Sequence, residues 1–508
     1  MTNHRGNYLF GFLACGPYRF ETSIPYDRIF CPTIEADRST GEARVAQCGL
    51  RRVEASLLKE YRREDVLIAH PNHLDRAIGE ETRVVGINAM DPLGMAPVTS
   101  TMSPYREGIA TSYVATKFQQ LMERINRLKS KYHFKTVLGG SGAWQFHLKE
   151  RRERFDLDHV VQGEVDAKAP DIFREIEQGR GGESYPEYSF AMTRTVEEVP
   201  LILGPTINST IEAMCGCGRG CDFCDVNKRK KRDFPIERLE VEAKINRDYG
   251  FENLWLHSDE MLLYGCTDLR NYVPNKDAIV ELFTRMRNVG FRLIGTTHMT
   301  LSAVCAEPRI IPELSKINEM GPDVWLATQP GVETTAPRLA KKHLAYKTKP
   351  YSPDEWGSVV VSGVKILNQN YYYPALTLIV GLPGEEPDET RITTDTVIAL
   401  SDTKCILAPL LYQDYGEANT MTWQNMNEAQ FELFWECWRH NLRQFSSDFI
   451  ILNAVNRLNP LMKQFTAALI RLGVWGIFRY LRGLSKANFN KLPEDIVTKP
   501  APEVVKRL

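Results

Sequence analysis

Apolar positions recur along this chain at two spacings, and segments of one kind alternate with segments of the other. Leu50, Val53, Leu57, Leu58 and Tyr61 follow three- and four-residue intervals, the spacing of one helical face. Short apolar runs at 65–70 (DVLIAH), 83–90 (RVVGINAM), 135–140 (KTVLGG) and 159–164 (HVVQGE) predict strands. Between them, Phe118, Leu121, Met122, Ile125 and Leu128 predict a helix, and 170–179 (PDIFREIEQG) predicts another. Such alternation is the signature of an α/β domain built on a parallel sheet, whose ligands bind beyond the carboxyl ends of the strands. Residues 179–200 are rich in Gly, Pro and polar residues and read as a linker. A second α/β series follows, with strands expected at 253–257, 291–298, 323–328 and 373–381 and a helix at 278–290. From about Asp402 the pattern turns helical and aromatic.

Composition narrows this little. The 508 residues suffice for two to four domains, and 43% hydrophobic with 25% charged residues is ordinary globular usage. Lys plus Arg is 63 against 64 for Asp plus Glu, so bulk charge points to no polyanionic partner. The opening residues carry no clean apolar core with a small-residue cleavage site, and no stretch reaches the ~18 apolar residues of a spanning helix. A cytoplasmic protein is expected, with no membrane span and no nucleic-acid partner. The basic run Lys228 to Arg232 is read as a solvated entry to a helix.

Cysteine changes the picture. There are eleven, and Cys215, Cys217, Cys221 and Cys224 lie together while the rest are scattered. That usage fits a metal site in a reducing compartment better than a disulfide scaffold. Cys217, Cys221 and Cys224 form a CxxxCxxC spacing, and soft thiolates suit an iron–sulfur cluster or zinc. Three thiolates cap three corners of a cubane and leave one iron open. Gly216, Gly218 and Gly220 let the loop wrap tightly and bring amide groups near the sulfurs. A structural zinc site would need a fourth ligand, for which Cys215 is available, but the resulting spacing is not a common zinc pattern.

With these cysteines the chain resembles the radical S-adenosylmethionine (SAM) superfamily, specifically its cobalamin-binding branch, over roughly residues 49–400. The likeness rests on 227–245 (NKRKKRDFPIERLEVEAKI), 254–264 (LWLHSDEMLLY), 330–344 (PGVETTAPRLAKKHL) and 376–390 (LTLIVGLPGEEPDET). The resemblance implies that Cys217, Cys221 and Cys224 bind a 4Fe–4S cluster that cleaves SAM reductively. It further implies that Phe223, Asp259, Glu260, Gly331, Glu333, Thr377 and Ile379 surround SAM. A structural salt bridge is the competing reading for Glu333, and ordinary surface acids for Asp259 and Glu260.

Upstream, Asp91 and Gly94, Thr99 and Ser100, Gly139 and Gly140, and Gly163 and Glu164 sit on three strand-end loops that resemble the branch's cobalamin domain. A generic nucleotide-binding domain is the alternative. No D-x-H-x-x-G motif is present, and His159 lacks an Asp two residues earlier. The resemblance therefore implies base-off cobalamin without a histidine lower ligand.

The implied architecture is α/β, with an extension at 1–48, a doubly wound cobalamin-binding domain at 49–182, and a linker at 183–206. A partial (β/α)6 radical SAM barrel at 207–400 and a mainly helical C-terminal domain at 401–508 complete it. The implied activity is methyl transfer from methylcobalamin to an unactivated sp3 carbon, with electrons from a donor such as ferredoxin or flavodoxin. A protein or peptide substrate is expected, and the layout resembles archaeal members acting on a glutamine of methyl-coenzyme M reductase. Alternatives are a cobalamin-dependent cyclase or rearrangement enzyme, a methylthiotransferase using Cys15, Cys31 and Cys48, or a zinc-stabilised module. Trp423, Trp435, Trp438, Trp475 and Tyr480 are read mainly as core, with a docking surface as the rival.

Overall fold

The computed structural model describes residues 12–18, 34–165, 167–180, 184–185, 195–224, 229–414, 420–454 and 460–496. Cys31, Lys228 and much of the expected linker lie outside the described residues. The fold is mixed α/β, and the chain divides into two compact units: 1–212 with 234–254, and 213–233 with 255–508.

The first unit is organised by a sheet of β1 (Val84–Asn88), β2 (Lys135–Gly139), β3 (His159–Val161) and β4 (Ser184–Tyr185), in that order and parallel throughout. Helix Tyr113–Tyr132 buries Phe118, Met122, Ile125 and Leu128, the stripe expected from sequence. Ser112 caps it by accepting from the Ala115 amide at 3.3 Å, and His133 ends it in the left-handed region at φ 59°. Phe118, Phe146 and Phe155 pack with ring centroids 5.4–5.9 Å apart in the core below.

The strand expected at 65–70 does not form. The segment instead makes a 3-10 turn at Arg63–Asp65 and a single antiparallel bridge between Ala69 and Glu42, in which the amides of Ala43 and His70 donate to the carbonyls of Ile68 and Gly41. An apolar run that meets its neighbour at one bridge only does not propagate into a ladder, and Leu67 stays exposed.

The second unit contains a sheet of β9 (Leu326–Thr328), β10 (Gly331–Glu333), β11 (Tyr372–Val380) and β12 (Ile406–Leu411). β11 pairs in parallel with the other three, and its burial alternates along its carboxyl half. β10 and β12 were not anticipated. Pro409 lies in β12, and Pro is tolerated because β12 is an edge of this sheet. A further sheet has the order β6–β5–β7–β8, from β5 (Thr210–Cys215), β6 (Arg232–Asp233), β7 (Asn253–Ser258) and β8 (Leu293–Thr296).

The helical C-terminal expectation corresponds to helices Glu428–Ala454 and Pro460–Phe489. Trp423 and Trp435 are buried, whereas Trp475 and Tyr480 are more than half exposed. Core packing thus accounts for the first two only. Among the described residues no helix is long and apolar enough to cross a membrane.

Asp158 joins β2 to β3. It accepts from the Thr136 amide at 2.8 Å and hydroxyl at 2.9 Å, and from Lys129 at 2.8 Å and Lys135 at 3.1 Å. Burial alone raises this carboxyl, but these donors outweigh it and hold the group well below the ordinary carboxylate range. Its stabilisation is therefore complete above the unfolded value near 3.9 and is lost as pH falls below it. Asp158→Asn is expected to cost about 1–3 kcal/mol at neutral pH. Denaturant melts should show the gap from the parent closing in acid below about pH 4, and a gap independent of pH would contradict this.

Candidate cofactor site

β5 delivers the cysteine motif by ending at Cys215, after which Gly216 turns the chain at φ 72°. A Cβ on Gly216 would stand 2.6 Å from the Arg229 carbonyl oxygen, so conformation and space both call for glycine. The Gly216 amide donates to Asp259 Oδ2 at 2.6 Å, and Arg229 reaches Asp259 Oδ1 at 3.4 Å. Asp259 therefore fixes where the loop begins. Behind it, the buried sulfur of Cys215 accepts from Arg232 at 3.2 Å and Arg229 at 3.6 Å.

Between the first two motif cysteines, Arg219 is 1% exposed and closes the loop from inside. Its Nη1 donates to the carbonyls of Tyr346, Lys347 and Lys349 at 3.1–3.3 Å, and its own carbonyl accepts from the Tyr346 amide at 2.9 Å. Its guanidinium lies 4.9 Å from the centre of the Tyr272 ring, whose hydroxyl donates to the Gly218 carbonyl at 2.7 Å. Glu260, also 1% exposed, approaches Arg219 Nε at 3.5 Å and accepts from the Thr300 amide at 3.0 Å. Both Glu260 oxygens are thus engaged within the protein.

The second half of the loop is stitched to the same segment. Cys221 Sγ donates to the Leu344 carbonyl at 3.4 Å, and the Asp222 amide donates to the His343 carbonyl at 3.1 Å. His343 bridges Asp222 at 2.7 Å through Nδ1 and the Pro383 carbonyl at 3.0 Å through Nε2. It therefore links the cysteine loop to the Gly381–Glu385 turn. There Glu385 accepts from the Gly381 amide and from Gln430, each at 2.8 Å.

Glu333 forms the salt bridge that one of its two readings supposes. It sits in the left-handed region at φ 64° and pairs with buried Lys347 at 2.7 Å. A Cβ on Gly331 would stand 2.0 Å from Glu333 Oε1 and 2.5 Å from Lys347 Nζ, so glycine leaves room for this pair. Thr377 lies opposite Gly331 in the ladder and shares with Ile379 the less buried face of β11. Phe223 is half-buried.

Burial pushes the Cys217 thiol up to about 11 and the Cys221 thiol up to about 12. After burial, Cys224 adds to the rise at Cys217, and Cys217 and Cys224 add to that at Cys221, so the three are electrostatic neighbours. Among the described residues no three His, Cys, Asp or Glu side chains converge as a single metal ion needs. A cubane spreads its thiolates over separate corners, and three soft donors on one loop fit that demand. Close by in the sheet, Ser258 and Thr296 end β7 and β8 with buried hydroxyls that have no hydrogen-bond partner. Orphaned buried hydroxyls at strand ends fit a polar ligand.

In the first unit, the residues expected around cobalamin gather beyond the carboxyl ends of β1, β2 and β3. Asp91 is buried, accepts from Gln145 at 2.7 Å and the Ala96 amide at 3.0 Å through Oδ1, and leaves Oδ2 without a hydrogen-bond partner. Gly94 sits at φ 74°, and Thr99 and Ser100 are buried in helix Pro97–Met102. Gly139 ends β2, Gly140 follows at φ 92°, and Gly163 and Glu164 follow β3. His159 opens β3, at the opposite end of the strand from that loop.

Sequence reasoning missed Arg219, Tyr272, His343, Lys347 and Gln145. Arg219 alone carried a signal, its place between two motif cysteines.

Residues 211–397 match the model of the radical SAM superfamily. No curated protein matches the chain by sequence. Among solved structures, it resembles the radical S-adenosylmethionine methyltransferase TsrM from Kitasatospora setae, bound to tryptophan substrate and the SAM analogue aza-SAM. That match has a TM-score of 0.50 and 15% identity, over 73% of this chain and 72% of the other. The same enzyme with cobalamin and a 4Fe–4S cluster bound matches with a TM-score of 0.50 and 15% identity, over 73% and 74%. At this identity the likeness is one of fold.

Gly331→Ala drives a methyl group into the Glu333–Lys347 pair and is expected to destabilise the protein by about 1–3 kcal/mol. A thermal melt unchanged from the parent would show that the pair has room to move.

Proposed function

We propose that this protein is a cobalamin-dependent radical SAM C-methyltransferase. The observation that carries the reading is the cysteine loop, with three thiols on a glycine-turned segment at the end of β5. When bound, the cluster, SAM and methylcobalamin together supply hydrogen abstraction from an unactivated carbon and the methyl group that replaces the hydrogen.

The chain's own residues then hold and shield. Cys217, Cys221 and Cys224 ligate iron, while Asp259, Arg219 and His343 keep their loop in one shape through their hydrogen bonds. Phe223, Thr377, Ile379 and the hydroxyls of Ser258 and Thr296 line the SAM side. Asp91, Gly94, Thr99, Ser100, Gly139, Gly140, Gly163 and Glu164 receive cobalamin in the base-off form. No histidine ligates cobalt from below, consistent with the place of His159 at the far end of β3. The substrate is a protein or peptide, with a glutamine of methyl-coenzyme M reductase as the specific target. A ferredoxin or flavodoxin supplies electrons in the cytoplasm, and no nucleic acid takes part.

Anaerobic reconstitution with iron, sulfide and hydroxocobalamin tests this directly. The wild type should gain broad absorbance near ~400 nm together with corrinoid, and Cys217→Ala, Cys221→Ala or Cys224→Ala should each abolish the iron-dependent part. Cys215→Ser should retain it. Incubation with deuteromethyl-SAM, a reductant and a glutamine-bearing peptide of the reductase should yield 5′-deoxyadenosine, S-adenosylhomocysteine and a labelled peptide. Product without label would instead favour a cyclase or rearrangement, and sulfur insertion a methylthiotransferase. A colourless protein that binds only zinc would end the proposal.

A further inference from the structure

The radical SAM loop of this chain encloses a charge that the cysteine motif does not require. Arg219 is 1% exposed, and of its three nitrogens only Nη1 makes hydrogen bonds. Nη2 is buried without a hydrogen-bond partner, and Nε has only the Glu260 carboxylate 3.5 Å away. Glu260 is itself 1% exposed. A fully buried ion pair is costly to maintain, and the three carbonyls bonded by Nη1 account for neither the unused Nη2 nor the carboxylate beside Nε. Its position gives it an electrostatic reach. Arg219 stands two residues from both Cys217 and Cys221, on the loop that carries them, and its guanidinium is buried beside the Glu260 carboxylate. Two opposite charges are therefore buried together against the loop that carries the sulfurs.

We propose that Arg219 and Glu260 are positioning residues that together set the reduction potential of the cluster held by Cys217, Cys221 and Cys224. The inference rests on the reading of this loop as a cluster site. One electron from a low-potential one-electron donor adds one negative charge to the cluster, with no bond made or broken. A buried cation favours that added charge and a buried anion opposes it, with little solvent to screen either. Arg219 thereby offsets Glu260, and the cluster remains reducible within the reach of such a donor.

The test is a redox titration of the reconstituted cluster, followed by electron paramagnetic resonance without SAM, in the wild type, R219M, R219K, E260Q and the double variant R219M/E260Q. At a fixed poise, R219M should lower the ratio of reduced to oxidised cluster at least tenfold, equivalent to about 59 mV for one electron. E260Q should raise the ratio, R219K should stay near the wild type, and the double variant should return towards it. A purely structural role would change iron content and leave the potential of the remaining clusters where it was. Potentials of R219M and E260Q equal to that of the wild type would overturn the proposal. Should R219M take up no iron, E260Q decides alone, and an unmoved potential there overturns it equally. Failure of the wild type to take up iron is a different result and removes the cluster reading beneath.

Discussion

The cysteine loop depends on a guanidinium more than on its cysteines. The segment after β5 must hold three sulfurs apart while exposing little backbone, and no regular ladder is available to organise it. Arg219 supplies the missing order by committing its Nη1 to three carbonyls of residues 346–349. The cation also satisfies carbonyl groups that burial would otherwise leave unpaired. Tyr272 covers its face and secures Gly218, so the loop is held from both sides. Removing this one side chain would leave the carbonyls, Glu260 and the ring without their common partner.

The same segment explains why β10 ends as it does. Glu333 adopts a backbone conformation that side chains avoid, and its ion pair with Lys347 is the compensating interaction. Lys347 in turn belongs to the stretch that receives Arg219, and its carbonyl also accepts from Ser302 at 2.7 Å. His343, one turn earlier, ties the loop to the turn after β11. Loop, strand end and turn therefore form one polar network, in which each buried charge has an opposite charge or a carbonyl beside it.

In the first unit the arrangement is simpler, because parallel strands carry their loops to one end. Asp91 bonds Gln145 across two of those loops, and Gly140 sits where a Cβ would overlap Asn88 Oδ1 at 2.0 Å. Close packing of this kind lets three glycine-bearing loops share one end of a small sheet. Asp91 Oδ2 is left without a hydrogen-bond partner there.

Local chemistry is legible in the order of the amino acids. The CxxxCxxC spacing, the glycines at positive φ around it, the helix beginning after Ser112 and the alternating burial of β11 each depend on neighbours a few residues away. What failed or went unseen depends on distant partners. The run at 65–70 had the composition of a strand but meets its remote neighbour at one bridge only, while β12 contains Pro409 and forms because its edge position spares the missing donor. Arg219 meets Lys347 across 128 residues, and Asp222 meets His343 across 121. The chain by itself therefore determined which three thiols share one glycine-turned loop. Only the tertiary structure decided which charges surround them, because burial and pairing arise when remote segments are brought into one low-dielectric place.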